Sequence, residues 1–340
     1  MNNEKLVSII MPVYNAEKYL RDAIDSMVIQ SYPNIELIII NDGSTDSSEL
    51  IIEEYAEKYP QIVVVSRENK GLIKTLNEGI AIAKGEYIAR MDADDISKYN
   101  RIEKQVAFME NNPEVMIAGC YFDILVENGT DCELLNSMYK LQRTINSFTN
   151  ATEQNMFMGY VILHATWIIR KELLDKIGGY KEYGHCEDGE FLFRILSNGY
   201  KIGVVEESMY QYRIYNTSKS GNDRLNNNGL KEDDLKYRLN YMSEKFGEDF
   251  SKDYFIWGYS YSGIRAREEV EKTFKKARFI GYIDSFANKQ DTQDMIIRPD
   301  EIKNNSNCYV VVATHGGLKY ALDFMQQIGY KAVEDYFCVV

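Results

Sequence analysis

The 340-residue chain has no CxxC pair, and its five cysteines (Cys120, Cys132, Cys186, Cys308 and Cys338) are odd in number and far apart. That pattern excludes a disulfide framework and a structural zinc site of ordinary spacing, and reads as reduced thiols packed inside a cytoplasmic protein. Long apolar runs are missing too. No stretch approaches the roughly 18 apolar residues that a membrane-spanning helix needs. The run within "MNNEKLVSIIMPVYN" stops at Pro12, too short for the core of a signal peptide. The expectation is a protein without a membrane span, with docking on a membrane surface left open. Basic charge is in deficit: 39 Lys and Arg stand against 52 Asp and Glu, a net charge of −13. Such a balance does not provide the broad basic face that nucleic acid requires, and leaves at most a local basic pocket.

What is present is enough apolar sequence, 45% of residues, to bury the cores of two domains. Short runs rich in Ile and Val, "LVSIIMP", "ELIII", "IVVVS" and "EYIARM", alternate with helical segments through the first 120 residues. Strands of that composition are covered on both faces, so the expected fold class is α/β, a mostly parallel sheet flanked by helices. Residues 1–222 are read as one domain, with halves at 1–120 and 121–222. Residues 223–252 read as a helical connector. Residues 253–340 read as a small Rossmann-like βαβ domain, with strands at 254–257, 277–284 and 308–314.

Ligands of parallel sheets gather at the carboxyl ends of the strands. Three loops fall there. "YIARMDADDIS" places Asp92, Asp94 and Asp95 after the fourth strand. Carboxylates so close repel one another and need solvent or a cation. Asp92 and Asp94 can present oxygens to one Mg²⁺ or Mn²⁺, which fills its remaining positions from phosphate and water. "NDGSTD" offers Asp42 after the second strand, as an acceptor for a base N–H or ribose hydroxyls, with Gly43 allowing close approach. "MPVYN" offers Pro12, Tyr14 and Asn15 after the first, Tyr14 being a flat face for a base. Each loop alone admits a plain structural role; together they describe a nucleoside diphosphate site with metal at the phosphate end.

In order and spacing, "SIIMPVYNAEKYLRDAIDSMVIQSYPNIELIIINDGSTD", "ENKGLIKTLNEGIAIAKGEYIARMDADD" and "GGYKEYGHCEDGEFLFRI" resemble the family 2 glycosyltransferases of the GT-A fold, over roughly residues 5–220. The resemblance implies an inverting, metal-dependent enzyme using a nucleotide-sugar donor, a UDP-sugar by preference, and an acceptor hydroxyl on a surface glycan, a lipid-linked saccharide or a protein. It implies that Pro12, Tyr14 and Asn15 line the base pocket, that Asp42 reads uracil or its ribose, and that Lys70, Gly71 and Asn77 lie along the donor wall. Asp92, Ala93 and Asp94 become the DxD, with Asp94 and Asp92 on the metal. Glu187 and Asp188 match the family's acidic pair, with Asp188 as catalytic base. His164 has a structural reading and a functional one.

The chain departs from the family in three places. Asn41 stands where many members carry Asp, Tyr215 where many carry a His near the metal, and the QxxRW of processive members is absent. One sugar per encounter follows. In the tail, Gly258, Ser260 and Gly263 imitate a dinucleotide-binding turn with Asp284 ending the next strand. The side chain of Ser260 crowds the pyrophosphate position, so dimerisation or acceptor docking is the preferred use, and a turn at His315, Gly316 and Gly317 is incidental. Two other readings remain. A sugar nucleotidyltransferase would open with a Gly-rich, Arg-containing loop, whereas this chain has "MPVYNAEKY"; a catalytically silent sugar-nucleotide-binding or scaffold protein needs no retained acids.

Overall fold

The run "IELIIIND" becomes a strand in which every residue after Ile35 is buried, as Ile and Val covered on both faces should be. The computed structural model describes residues 4–151, 157, 161–183, 187–218, 232–247, 249–286, 293–305, 308–314 and 316–339. By its contacts the chain divides into two compact units, 1–182 with 191–227, and 183–190 with 228–340. The "GHC" preceding Glu187, residues 223–231 of the expected connector and His315 lie outside the described residues.

In chain order the first unit runs β1 (Val7–Val13), α1 (Leu20–Val28), β2 (Ile35–Asp42), α2 (Ser48–Lys58), β3 (Ile62–Arg67), α3 (Leu72–Ile82), β4 (Tyr87–Arg90) and β5 (Ile96–Ser97). It continues with α4 (Arg101–Asn111), β6 (Val115–Val126), α5 (Cys132–Ile145), β7 (Asn150–Ala151), β8 (Ile168–Arg170) and α6 (Lys171–Ile177). Helix α7 (Glu187–Ser197), whose first four residues are grouped with the second unit, and β9 (Lys201–Ile214) follow. The sheet order is β3-β2-β1-β4-β8-β6-β9-β5, with β7 also on β9. The β3-β2-β1-β4 half is parallel throughout, and β8 enters antiparallel between β4 and β6. Leu20, Ala23, Ile24 and Met27 of α1 are buried on one stripe at helical spacing and join the core formed by β1, β2 and β4.

Because β1 has β2 on one side and β4 on the other, the loops after β1, β2 and β4 emerge side by side at a topological switch point. Pro12 fits in so central a strand because Ile10 accepts from Met91 on the β4 side and the β1–β4 pairing stops at Ile10. The missing N–H of Pro12, two residues further along, therefore leaves no ladder bond unmade.

The second unit contains α8 (Glu232–Phe246), β10 (Asp253–Trp257), α9 (Tyr261–Thr273), β11 (Arg278–Ile283) and β12 (Ile296–Ile297). It ends with β13 (Tyr309–Val312), α10 (Leu318–Gln327) and β14 (Tyr336–Cys338). Its parallel sheet has the order β12-β11-β10-β13-β14, two strands more than the sequence pattern suggested. Among the described residues no helix is long and apolar enough to cross a membrane. Cys120 and Cys338 are buried, as packing residues should be, whereas Cys132 is exposed at the start of α5.

Candidate active site

The three loops at the carboxyl edge are tied to neighbours by their own polar groups. Tyr14 is 55% exposed, and Asn15 takes a left-handed backbone angle of φ 50°. The Asn15 side-chain oxygen accepts from the Thr45 N–H at 2.8 Å, and its N–H donates to Ser44 Oγ at 3.0 Å, joining the loop after β1 to the loop after β2. Asp42 is buried at the end of β2. Its carboxylate pairs with Arg67 and accepts from the backbone N–H groups of Lys70 at 2.7 Å and Gly71 at 3.0 Å. Gly43 next to it has φ 73°, and a Cβ there would lie 2.6 Å from the Asn69 nitrogen, so the close approach does require glycine. Arg67 also donates from Nε to Glu78 at 2.6 Å and from a terminal nitrogen to Thr75 Oγ1 at 2.9 Å. Asp42 therefore shapes the 67–71 loop ahead of α3 with most of its lone pairs.

The acidic turn after β4 is compensated by arginines buried beneath and beside it. Arg90 reaches Asp92 Oδ1 at 2.5 Å. Burial opposes a charge on Arg90, but the Asp92 carboxylate outweighs it and holds the guanidinium protonated. Arg101, fully buried, donates to the carbonyls of Arg90 at 3.0 Å and Ala165 at 3.1 Å. Arg213 donates from Nε to the Asp94 carbonyl at 2.7 Å, and its backbone N–H reaches Asp95 Oδ1 at 2.7 Å. It also pairs with Glu127 at 3.0 Å and Asp22 at 3.2 Å, with its guanidinium 4.3 Å from the Tyr19 ring centre. The antiparallel β5–β9 pairing, Ile96 opposite Gln211, brings that arginine to the turn.

Among the described residues no ion pair to Asp94 is found. Its Oδ2 accepts the phenol of Tyr215 at 2.8 Å. Burial first, and the charge of Asp92 second, push the Asp94 carboxyl up to about 6. Burial, then the charges of Asp94 and Asp92, raise Asp95 well above the usual carboxylate range. Tyr215 is held protonated, by burial and then by the charge of Asp94, so it is the donor in that bond.

Among the described residues no three His, Cys, Asp or Glu side chains converge on one point. The donor set still fits a hard divalent ion: carboxylate oxygens from one turn, one of them without a guanidinium, and most positions left for phosphate and water. Ala93, between the acids, is buried.

Lys70 has an exposed side chain, and Gly71 has φ 87° at the start of α3. Asn77 clasps a backbone instead: Tyr180 N–H donates to its oxygen at 2.8 Å and its amide nitrogen donates to Tyr180 O at 2.8 Å. Both ends of the amide are thus engaged in fixing the Gly178–Tyr180 turn. His164 Nε2 lies 2.8 Å from the Tyr180 hydroxyl, within a stack of Trp167, Tyr180 and Phe191. Glu187, buried, and Asp188, half-buried, open α7, where acids suit the helix N-terminus; Asp188 Oδ1 accepts the Gly189 N–H at 2.8 Å. A recess lined by Ile10, Leu76, Ile88, Arg90, Ile169 and Tyr180 holds only about 10 Å³, at most one water, and is almost wholly apolar, so no ligand site lies there. Sequence reading missed Arg67, Arg90 and Arg213. Only their type was a signal, since arginine is the basic residue suited to buried bidentate pairing.

In the second unit the turn after β10 has Gly258 at φ 113°. Ser260 Oγ accepts the Gly263 N–H at 3.4 Å as the cap of α9, and Asp284 accepts the Tyr259 N–H at 2.9 Å and the Phe286 N–H at 2.7 Å.

Known proteins resemble this chain in sequence or in fold. A glycosyltransferase of Haemophilus influenzae of uncharacterised specificity is 34% identical over 252 residues, 71% of this chain and 76% of that protein. The minor teichoic acid biosynthesis protein GgaB of Bacillus subtilis is 32% identical over 214 residues, 61% of this chain and 23% of that protein. Among solved structures, S. aureus TarS with UDP-GlcNAc superposes with a TM-score of 0.55 at 21% identity, covering 72% of this chain and 68% of that one. With UDP, TarS gives a TM-score of 0.53 at 22% identity, and this chain spans 66% of that chain, just under two thirds. The mannosyltransferase PcManGT of Pyrobaculum calidifontis, solved with GDP-Man and Mn²⁺, gives 0.54 at 19%, covering 72% and 65%. These likenesses establish a GT-A fold. The family model described as glycosyl transferase family 2 matches residues 8–178, half of the sequence and all three loops of the switch point, and the chain belongs to that family.

Proposed function

We propose that this protein moves a sugar from a UDP-sugar to an acceptor hydroxyl of a surface glycan, a lipid-linked saccharide or a protein, by one in-line displacement that inverts the anomeric carbon. One observation carries the reading. At the switch point of the sheet, Asp94 has no ion pair among the described residues and is held by the Tyr215 phenol, beside Asp92, which pairs with Arg90, and the buried Asp95, which accepts the Arg213 backbone N–H. Structures of similar fold hold UDP, UDP-GlcNAc or GDP-Man with Mn²⁺, which supports a nucleotide-sugar donor and a divalent ion.

In this reading Tyr14 stacks on the base, and the loops shaped by Asp42 and Asn15 follow the ribose and diphosphate. Asp94, with Asp92, holds Mn²⁺ or Mg²⁺, and such an ion supplies Lewis-acid stabilisation of the departing diphosphate, worth several kcal/mol. Asp188 takes the proton of the acceptor hydroxyl, a contribution of about 10²- to 10⁴-fold in rate. A single carboxylate base and no second nucleophile is what inversion requires.

The experiment is a donor screen. The protein is incubated with UDP-, GDP- and dTDP-sugars in Mn²⁺, and nucleotide release is followed with and without EDTA. Slow hydrolysis of one UDP-sugar, stopped by EDTA and absent in Asp94→Ala, is the expected result. Release that ignores EDTA and the substitution overturns the assignment. The pairing of Asp42 with Arg67 and of Asp92 with Arg90 favours a second reading, a sugar-nucleotide-binding protein without turnover. Donor binding with no hydrolysis for any sugar would select it.

A further inference from the structure

We infer that Tyr215 is a positioning residue for Asp94, its phenol fixing one carboxylate oxygen so that the other is presented to a divalent ion. The inference rests on the metal site proposed above and adds a residue to it. Two side chains at the end of β9 grip the same aspartate. Arg213 holds its main chain through the carbonyl at 2.7 Å, and Tyr215 holds its side chain through Oδ2 at 2.8 Å. Arg213 lies next to the last residue of β9, and Tyr215 is the first residue past its end. Tyr19 stabilises both, with its ring 5.2 Å from the Tyr215 ring and 4.3 Å from the Arg213 guanidinium.

A ring needed only for packing would be served by phenylalanine. Here the hydroxyl reaches across 121 residues of sequence to an acid whose carboxylate has no ion pair among the described residues. Carboxylates that ligate metals are themselves hydrogen-bonded by an outer group, and removing that group typically weakens the metal about 10- to 100-fold. Tyr215 has the geometry of such a group. The bond fixes the orientation of the Asp94 carboxylate through Oδ2, and that carboxylate would then be held ready for an ion.

The test is direct Mn²⁺ binding, read by electron paramagnetic resonance of the free ion, alone and with UDP. Four proteins are compared: the native chain, Tyr215→Phe, Tyr215→His and Asp94→Asn. The expected result is an affinity loss of about 10- to 100-fold in Tyr215→Phe, an unchanged melting temperature in EDTA, and recovery of most of the affinity in Tyr215→His, whose ring N–H can donate to the same oxygen. Native affinity in Tyr215→Phe overturns the inference. So does a loss that His does not restore and that tracks a lower melting temperature, because packing alone would then explain it. If the native chain and Asp94→Asn bind Mn²⁺ alike, the metal site itself falls, an outcome distinct from failure of the Tyr215 inference.

Discussion

Single residues carry the chemistry, and two of them can be separated by experiment. Asp188→Asn removes a proton acceptor and keeps the shape, so donor affinity should hold while the rate falls by about 10²- to 10⁴-fold. Single-turnover rates and donor Kd values measured side by side check this, and a rate within a factor of a few of native would remove Asp188 from the mechanism. Asp94 makes a pH-dependent prediction. Its carboxyl is raised to about 6 in the folded protein, by burial and then by Asp92. A raised carboxyl weakens the fold wherever it is ionised, and that cost disappears as pH falls through the folded value toward the unfolded one near 4. In EDTA, Asp94→Asn should melt above the native chain at pH 8, and the gap should close between about pH 6 and pH 4. A variant that melts lower at pH 8 would contradict the burial argument.

Elements explain which of these residues could be read from sequence. The loops after β1, β2 and β4 were legible because strands buried on both faces leave unbroken Ile and Val runs, whose ends can be located. The arginines were not. Arg213 meets Asp94 across 119 residues, and only the antiparallel pairing of β5 with β9 brings them together. Repulsion among clustered acids suggested an ion, whereas the fold answers part of it by pairing Asp92 with Arg90 and burying Arg101 and Arg213 nearby, and Asp94 and Asp95 are left without an ion pair among the described residues. The clasp made by Asn77 was hidden for a similar reason, since its backbone partner Tyr180 lies 103 residues away. The strands β12 and β14 escaped notice because they are only two and three residues long. Arg67 shows what one such contact does for an element. It joins the end of β2, the end of β3 and the first turns of α3, with its side chain 11% exposed and that of Asp42 6% exposed. Removing one partner of a buried pair leaves the other charge uncompensated, so Arg67→Ala should cost about 3 kcal/mol. A urea midpoint that falls without a change in slope is the expected observation. A midpoint within error of native would mean that water solvates Asp42 and that the 67–71 loop is held by other contacts.

At the scale of the molecule, one chain contains a mixed sheet and a parallel one, each with a switch point between parallel strands, and their loops are built differently. In the first unit the turn carries Asp94, an acid with no ion pair among the described residues. In the second, the groups that a dinucleotide site would aim at its ligand are turned on the protein itself. Ser260, at the position where a glycine would admit pyrophosphate, caps α9, and Asp284, at the ribose-binding position, accepts two backbone N–H groups of its own crossing loops. Displacing those bonds would expose the Tyr259 and Phe286 N–H groups, at roughly 1 kcal/mol or more each. A dinucleotide would then gain little beyond what it breaks. Millimolar NAD⁺ should therefore leave the melting temperature of the native chain unchanged, while UDP with Mn²⁺ raises it through the first unit. An upward shift with NAD⁺ that is lost in Asp284→Ala but kept in Asp94→Ala would instead assign the second sheet a ligand, and the turn at Ser260 would have to open to admit it.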